Sequence, residues 1–190
     1  MKQFLFFLFI LLALSSNINA QTDTNNVPKP PIAELKKFNP YLGMYNVISD
    51  YAGLKFKGTL EWKPEIKNWY LQSTIQLQDE SKKIDRELRI MMTWDAQLQK
   101  YRLWRFQTTP HAPPDELEGE AKFVNDELVQ EWKFKDDNDS VILFRNRLKM
   151  TSPNEMQIIS EVETGEPKKV EQVGVTICTR VGTQANYTLQ

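Results

Sequence analysis

The sequence predicts an all-β protein: a single antiparallel β-barrel of about ten strands, entered through a short helical turn. Three observations predict it. From Leu42 onward apolar residues recur at every second position, segment after segment. Turn-forming residues separate those segments with the regular spacing of a barrel or sandwich. A flat sheet of that many strands curls or splits, so closure into a barrel is the economical arrangement.

The first residues precede the fold. In "MKQFLFFLFILLALSSNINA", Lys2 supplies a basic start and Phe4 to Leu14 an apolar run, and small or polar residues lead to Ala20. This is the pattern of an export signal, cleaved after Ala20 to leave Gln21 first. The alternative is an uncleaved anchor, but the apolar run falls short of the ~20 residues that a membrane span needs. No cysteine lies near the cleavage point, which excludes a lipid-modified amino-terminal cysteine. Export to the periplasm or the exterior is therefore expected. Gln21 to Pro31, "QTDTNNVPKPP", reads as a flexible leader. The barrel domain is expected over residues 32–182, followed by a C-terminal tail at 183–190.

Each element has its own signal. "IAELKKF", Ile32 to Phe38, suits a turn or two of helix stopped by Asn39-Pro40. A first strand is read over Leu42 to Asp50. In Leu54 to Trp62, Leu54, Phe56, Leu60 and Trp62 alternate with Lys55, Lys57, Thr59 and Glu61. Pro64 to Asn68 form a turn, and Trp69 to Leu77 repeat the alternation. Leu88, Ile90, Met92 and Trp94 share a face on the next strand, Asp95 to Lys100 turn the chain, and Tyr101 to Gln107 return it. Further pairs are Glu120 to Val124 with Leu128 to Phe134, and Val141 to Met150 with Met156 to Val162. Asn125-Asp126 and Ser152 to Glu155 supply their hairpin turns. Val170 to Val181 is the last strand. Thr108 to Gly119, "TTPHAPPDELEG", breaks the rhythm with its prolines and is expected to be a long loop, a lid or binding loop or a disordered one.

Composition narrows the function. The chain has 24 basic and 25 acidic residues, and loss of Lys2 with the signal leaves a net charge near −2. That gives no reason to bind nucleic acid or an anionic membrane, and no stable membrane insertion is expected once the signal is gone. Cys178 is the only cysteine, so no intramolecular disulfide forms; in a strand-like segment it reads as a small buried hydrophobe. The sequons at Asn138 and Asn186 matter only in a eukaryotic host.

"NPYLGMYNV", with Gly43 and Tyr45 opening the first strand, resembles the Gly-x-Trp opening of lipocalin-like (calycin) barrels, with tyrosine in place of tryptophan. From about Leu35 to Val181 the chain resembles the DUF1579 family, bacterial proteins of unknown function expected to be lipocalin-like. "LGMYNV", the Trp94-Asp95 pair with Tyr101 and Trp104 after it, and the closing Thr179-Arg180 carry that resemblance. None of these is a catalytic motif, so it bears on fold rather than function. The lipocalin pattern implies that Arg180 packs over Tyr45 at the closed end of the barrel; the alternative is a solvated strand end.

No metal or cofactor is expected. His111 is the only histidine and sits in the "PHAPP" loop, where a haem or metal ligand lacks a rigid strand. Any nucleophile–histidine–acid triad must use the same residue, and no G-x-S-x-G stretch, phosphate-cradling glycine loop or C-x-x-C pair occurs. "DELEGE" (Asp115 to Glu120) and "DDND" (Asp136 to Asp139) read as solvated turns rather than calcium loops.

The informative pattern lies in the apolar rows, each interrupted by a polar residue near its middle: Ser73, Gln130, Asn146 and Ser160. Each costs about 1–3 kcal/mol if buried without a partner. Either they line a cavity and meet a ligand, or they bond to one another and to trapped water around a filled core. In Tyr101 to Gln107 both faces are mixed, so one arginine goes inward or to the rim. The apolar character of Trp104 and Phe106 favours the face of Arg102, which makes Arg102 and Trp104 candidate lining residues. These six residues frame the expected function: an exported protein binding a small, partly apolar molecule in the barrel, with an anionic head at Arg102. A non-metal isomerase or lyase in the same cavity, or an envelope interaction protein with a filled barrel, are the alternatives.

Overall fold

The computed structural model describes residues 29–79, 81, 85–109, 112–135, 139–165, 167–182 and 189, with backbone alone at 108–109 and 112–116. The segment read as an export signal, most of the expected leader, His111, Asn138 and Asn186 lie outside the described residues.

A short helix α1 (Ile32–Leu35) runs into a 3-10 helix (Lys36–Tyr41) that carries Pro40, so the helical path continues through Asn39-Pro40. Ten strands follow: β1 (Gly43–Tyr51), β2 (Leu54–Glu65), β3 (Tyr70–Asp79), β4 (Asp85–Asp95), β5 (Lys100–Thr109), β6 (Ala112–Val124), β7 (Glu127–Lys135), β8 (Val141–Ser152), β9 (Glu155–Thr164) and β10 (Lys169–Arg180). Each pairs antiparallel with its neighbour in sequence, and β10 pairs with β1 to close the barrel. Closure gives every strand a partner on both sides, so the ring has no edge strand.

The hairpin turns follow from local chemistry. Ala52-Gly53 and Asn125-Asp126 both adopt positive φ, as two-residue turns between twisted strands require. The alternation predicted for β1 is observed: Tyr45, Val47 and Ser49 are buried, while Met44, Asn46 and Ile48 are exposed.

The expected loop at Thr108 to Gly119 is instead strand. β5 and β6 pair from Tyr101↔Ala121 to Thr109↔Ala112, with a bulge between Gln107 and Thr109. The extra β6 residues at this bulge span Pro113-Pro114, a place where sheets tolerate proline. On its other side β6 pairs with β7 only from Val124↔Glu127 to Gly119↔Trp132. The missing N–H groups of the prolines therefore interrupt no β7 ladder. The "DELEGE" turn is corrected with it: Glu118 and Glu120 lie on the outer face of β6, paired with Arg102 and Lys100.

One end of the barrel is plugged. Leu35, Phe38, Tyr41 and Leu42 are buried beneath it. The Phe38 ring stacks on Trp62 at 6.2 Å and meets Tyr101 edge-on at 5.0 Å and Phe123 at 5.1 Å. Leu189 joins this core, its N–H donating to Asn39 Oδ1 at 3.4 Å. Arg180 fastens the same end. Its guanidinium lies 4.8 Å from the Tyr45 ring centroid and donates to the carbonyls of Leu42, Pro40 (2.7 Å) and Pro153 (3.2 Å). This is the packing that the lipocalin pattern implied for these two residues.

Candidate functional site

The strand rows that fill the plugged half fail to fill the other. A cavity of about 610 Å³ occupies the upper interior, within the range typical of small-molecule pockets. Trp62 stands at its floor, stacked on the plug residue Phe38. Leu60, Ile75, Leu88, Leu117, Phe144 and Ile158 form its apolar walls. The barrel is hollow, and its lining is mixed.

Four of the six sequence candidates line this cavity: Ser73, Gln130, Asn146 and Ser160. Cross-strand register explains their grouping. Gln130 stands opposite Asn146 on β8, and Asn146 opposite Ser160 on β9. Ser160 donates to Asn146 Oδ1 at 2.8 Å. Ser49 and Thr176, which the sequence did not single out, form a similar pair at 2.7 Å. Those pairs answer their own polar groups. The other two candidates are placed differently: the Gln130 amide nitrogen is buried without a hydrogen-bond partner, and Ser73 is buried on the cavity wall opposite Trp62.

Arg102 and Trp104 are corrections. Both face outward, on the opposite side of β5 from the cavity. Arg102 forms an ion pair with Glu118 and lies 5.2 Å from the Trp104 ring centroid. Phe106 shares that face and is 39% exposed. The inward residues are Tyr101 and Leu103, both buried, then Arg105 and Gln107 on the cavity wall. Burying Tyr101 against the plug residue Phe38 and Leu103 in the core outweighs exposing one tryptophan and one phenylalanine, because both faces of this strand carry large apolar groups.

Arg105 is held inside by aromatic rings. Its guanidinium carbon lies 5.9 Å from the ring centroids of Trp132 and of Phe144, and its Nη2 donates to Gln107 Oε1 at 2.8 Å. Gly119 makes room for this arrangement. A Cβ there would lie 2.6 Å from Trp132 Cδ1 and collide with the Glu131 carbonyl oxygen. Only glycine lets the Trp132 ring lie flat against β6.

Arg86 also faces the cavity, at the open end of β4. Its guanidinium carbon sits 5.1 Å from the Phe56 ring centroid, its Nε is buried without a hydrogen-bond partner, and it forms no ion pair with a described residue. Lys135, ion-paired with exposed Asp139 at 3.0 Å, completes a cationic set at the rim, and no Asp, Glu, His or Cys lines the cavity among the described residues. Both inward arginines were legible by extension: Arg86 stands two residues before Leu88 in the row Leu88-Ile90-Met92-Trp94, and Arg105 stands opposite Ile90.

Burial perturbs the tyrosines and the thiol of the plugged half. Tyr41 and Tyr45 are each pushed up to about 12, and Tyr101 is raised well beyond the usual range. The Cys178 thiol is likewise pushed up to about 12 by burial, which makes it a poor nucleophile. Among the described residues no group of His, Cys, Asp and Glu side chains is placed to hold a metal ion.

No protein-family model matches the chain, and no curated protein matches its sequence.

Proposed function

We propose that this protein is an exported carrier of a small amphipathic anion, held with its apolar part in the barrel and its charge among Arg86, Arg105 and Lys135. The single observation that carries this reading is Arg86. A guanidinium with a buried Nε and no described carboxylate beside it is electrostatically incomplete. An anionic ligand supplies both the counter-charge and the planar acceptors that the fork is shaped to receive. The apolar walls supply the second half of the affinity, at roughly 25 cal/mol for each Å² of ligand surface removed from water. The apolar run Phe4 to Leu14 supports export.

A carrier is favoured over an enzyme because the described lining offers no carboxylate, imidazole or thiol as a general base. The cavity itself speaks against a filled barrel.

The test compares an n-alkanoate with the n-alkanol of equal length by isothermal titration calorimetry, beside native mass spectrometry of the exported protein for a retained small molecule. The alkanoate is expected to bind at least tenfold tighter, and Arg86→Met to remove most of that difference, consistent with the loss of one charge-assisted contact of about 1.5–3 kcal/mol. Equal binding of the two probes, or an unchanged preference in Arg86→Met, refutes the anionic reading.

A further inference from the structure

Resting on the carrier reading, we infer that the cavity floor is a second subsite, which takes an uncharged hydrogen-bond acceptor such as a carbonyl, ester or ether oxygen at the ligand's end remote from its anion. The polar groups of the lining differ in how they are answered. Ser49 pairs with Thr176, and Ser160 with Asn146, the residue opposite Gln130. The buried Trp62 indole nitrogen and the Gln130 amide nitrogen have no partner. Trp62 is 2% exposed and Gln130 1%, so solvent at the outer surface does not satisfy them.

Both walls meet the plug residue Tyr41, whose ring lies 6.1 Å from that of Trp62. Trp62 stands directly opposite Ser73 on the inward face of β2 and β3. Gln130 is the next inward residue above Leu128, and the plug residue Tyr41 reaches the Leu148 carbonyl across from Leu128. Trp62, Ser73, Gln130 and Leu148 therefore share the floor, and all four line the cavity. Trp132 has a buried indole N–H as well, but its ring lies against Gly119 and Phe144 and it does not line the cavity.

The chemistry of the occupant follows from the donors. Indole nitrogen can only donate, so whatever meets Trp62 must accept. An amide can turn either end toward the same atom, and a serine hydroxyl adapts. The acceptor is uncharged because the cations of the lining lie against other groups. Arg105 lies over Trp132 and Phe144, Arg86 over Phe56, and Lys135 is at the rim. An anion placed between Leu60, Leu148 and neutral donors would lose its hydration without a counter-charge. The site thus reads a ligand with two polar ends of different kinds, its apolar middle along Ile75, Leu88 and Ile158.

The experiment uses an n-alkanoate and the acid of equal chain length that ends in a methyl ketone. Titration calorimetry on the whole exported protein is expected to give about tenfold tighter binding for the keto acid. Gln130→Leu and Trp62→Phe are each expected to abolish that preference, so that each variant binds the keto acid and the plain alkanoate alike. Equal affinity of the wild-type protein for both probes overturns the floor subsite and leaves the carrier reading standing. Failure of both probes to bind overturns the two together. If either variant does not fold, the Trp62 indole ¹⁵N–¹H resonance of the wild-type protein decides: it must shift with the keto acid beyond its shift with the plain alkanoate, and identical shifts overturn the proposal.

Discussion

Replacing Arg180 by methionine tests how the plugged end is held. The side chain lies over Tyr45 and donates to the carbonyls of Pro40, Leu42 and Pro153. Loss of the cation–π contact costs about 0.5–2 kcal/mol. The carbonyl of the fully buried Leu42 is then left without this donor, at about 1–3 kcal/mol. Water replaces the donor at exposed Pro40, so that bond adds little. The expected loss is about 2–4 kcal/mol, read as a lower urea midpoint with an unchanged slope. Arg180→Lys keeps a charge over the ring but not the planar fork, and should recover less than half. A second readout is trypsin cleavage at Lys36-Lys37, expected to quicken as the plug loosens. If Arg180→Met stays within about 0.5 kcal/mol of the wild-type protein and its plug resists trypsin equally, Arg180 is a solvated strand end and the clamp is refuted.

Arg102→Ala is expected to leave stability nearly unchanged, since the Glu118 pair is exposed, and to leave alkanoate affinity unchanged; a loss of affinity in titration would place Arg102 in the site after all. Gly119→Ala forces Trp132 off β6 and should destabilise by roughly 1–3 kcal/mol, with a changed near-ultraviolet spectrum from the displaced indole. Stability should fall at alkaline pH. Tyr41, Tyr45 and Cys178 have values in the folded chain raised to about 12, so their contribution is complete below the unfolded values. It declines from about pH 9 for the thiol and about pH 10 for the tyrosines, through pH 12. Urea titrations between pH 7 and pH 11 check the sign, and a rise above pH 9 contradicts it.

The strands were legible because a half-buried strand must alternate, and nine of the ten came out close to their observed bounds. The tenth, β6, was half hidden by Pro113-Pro114, because the residues flanking a bulge look like loop when the strand's partners are unknown. At the site, the polar interruptions at Ser73, Gln130, Asn146 and Ser160 signalled a lined interior, and all four reach it. Arg102 and Trp104 misled because hydrophobicity cannot choose between two apolar faces. Register could have chosen. With Trp94 inward and Ala96 to Gln99 as the turn, Tyr101 must share the face of Trp94, and Arg105 the face of Ile90. Which donors lack a partner was beyond the sequence, since it depends on contacts between residues as far apart as Asn146 and Ser160 or Ser49 and Thr176.

The closing ladder between β1 and β10 joins segments from opposite ends of the domain. Bringing them together costs the loop entropy of nearly the whole chain, so this ladder should form after the sequential hairpins. Arg180, which bridges β10 to the residues just before β1, then acts downstream of the folding transition state. Its loss is expected to raise the unfolding rate while leaving the refolding rate almost unchanged, as stopped-flow chevrons would record. The clasp governs how long the barrel stays shut, and the hairpins govern how fast it is assembled.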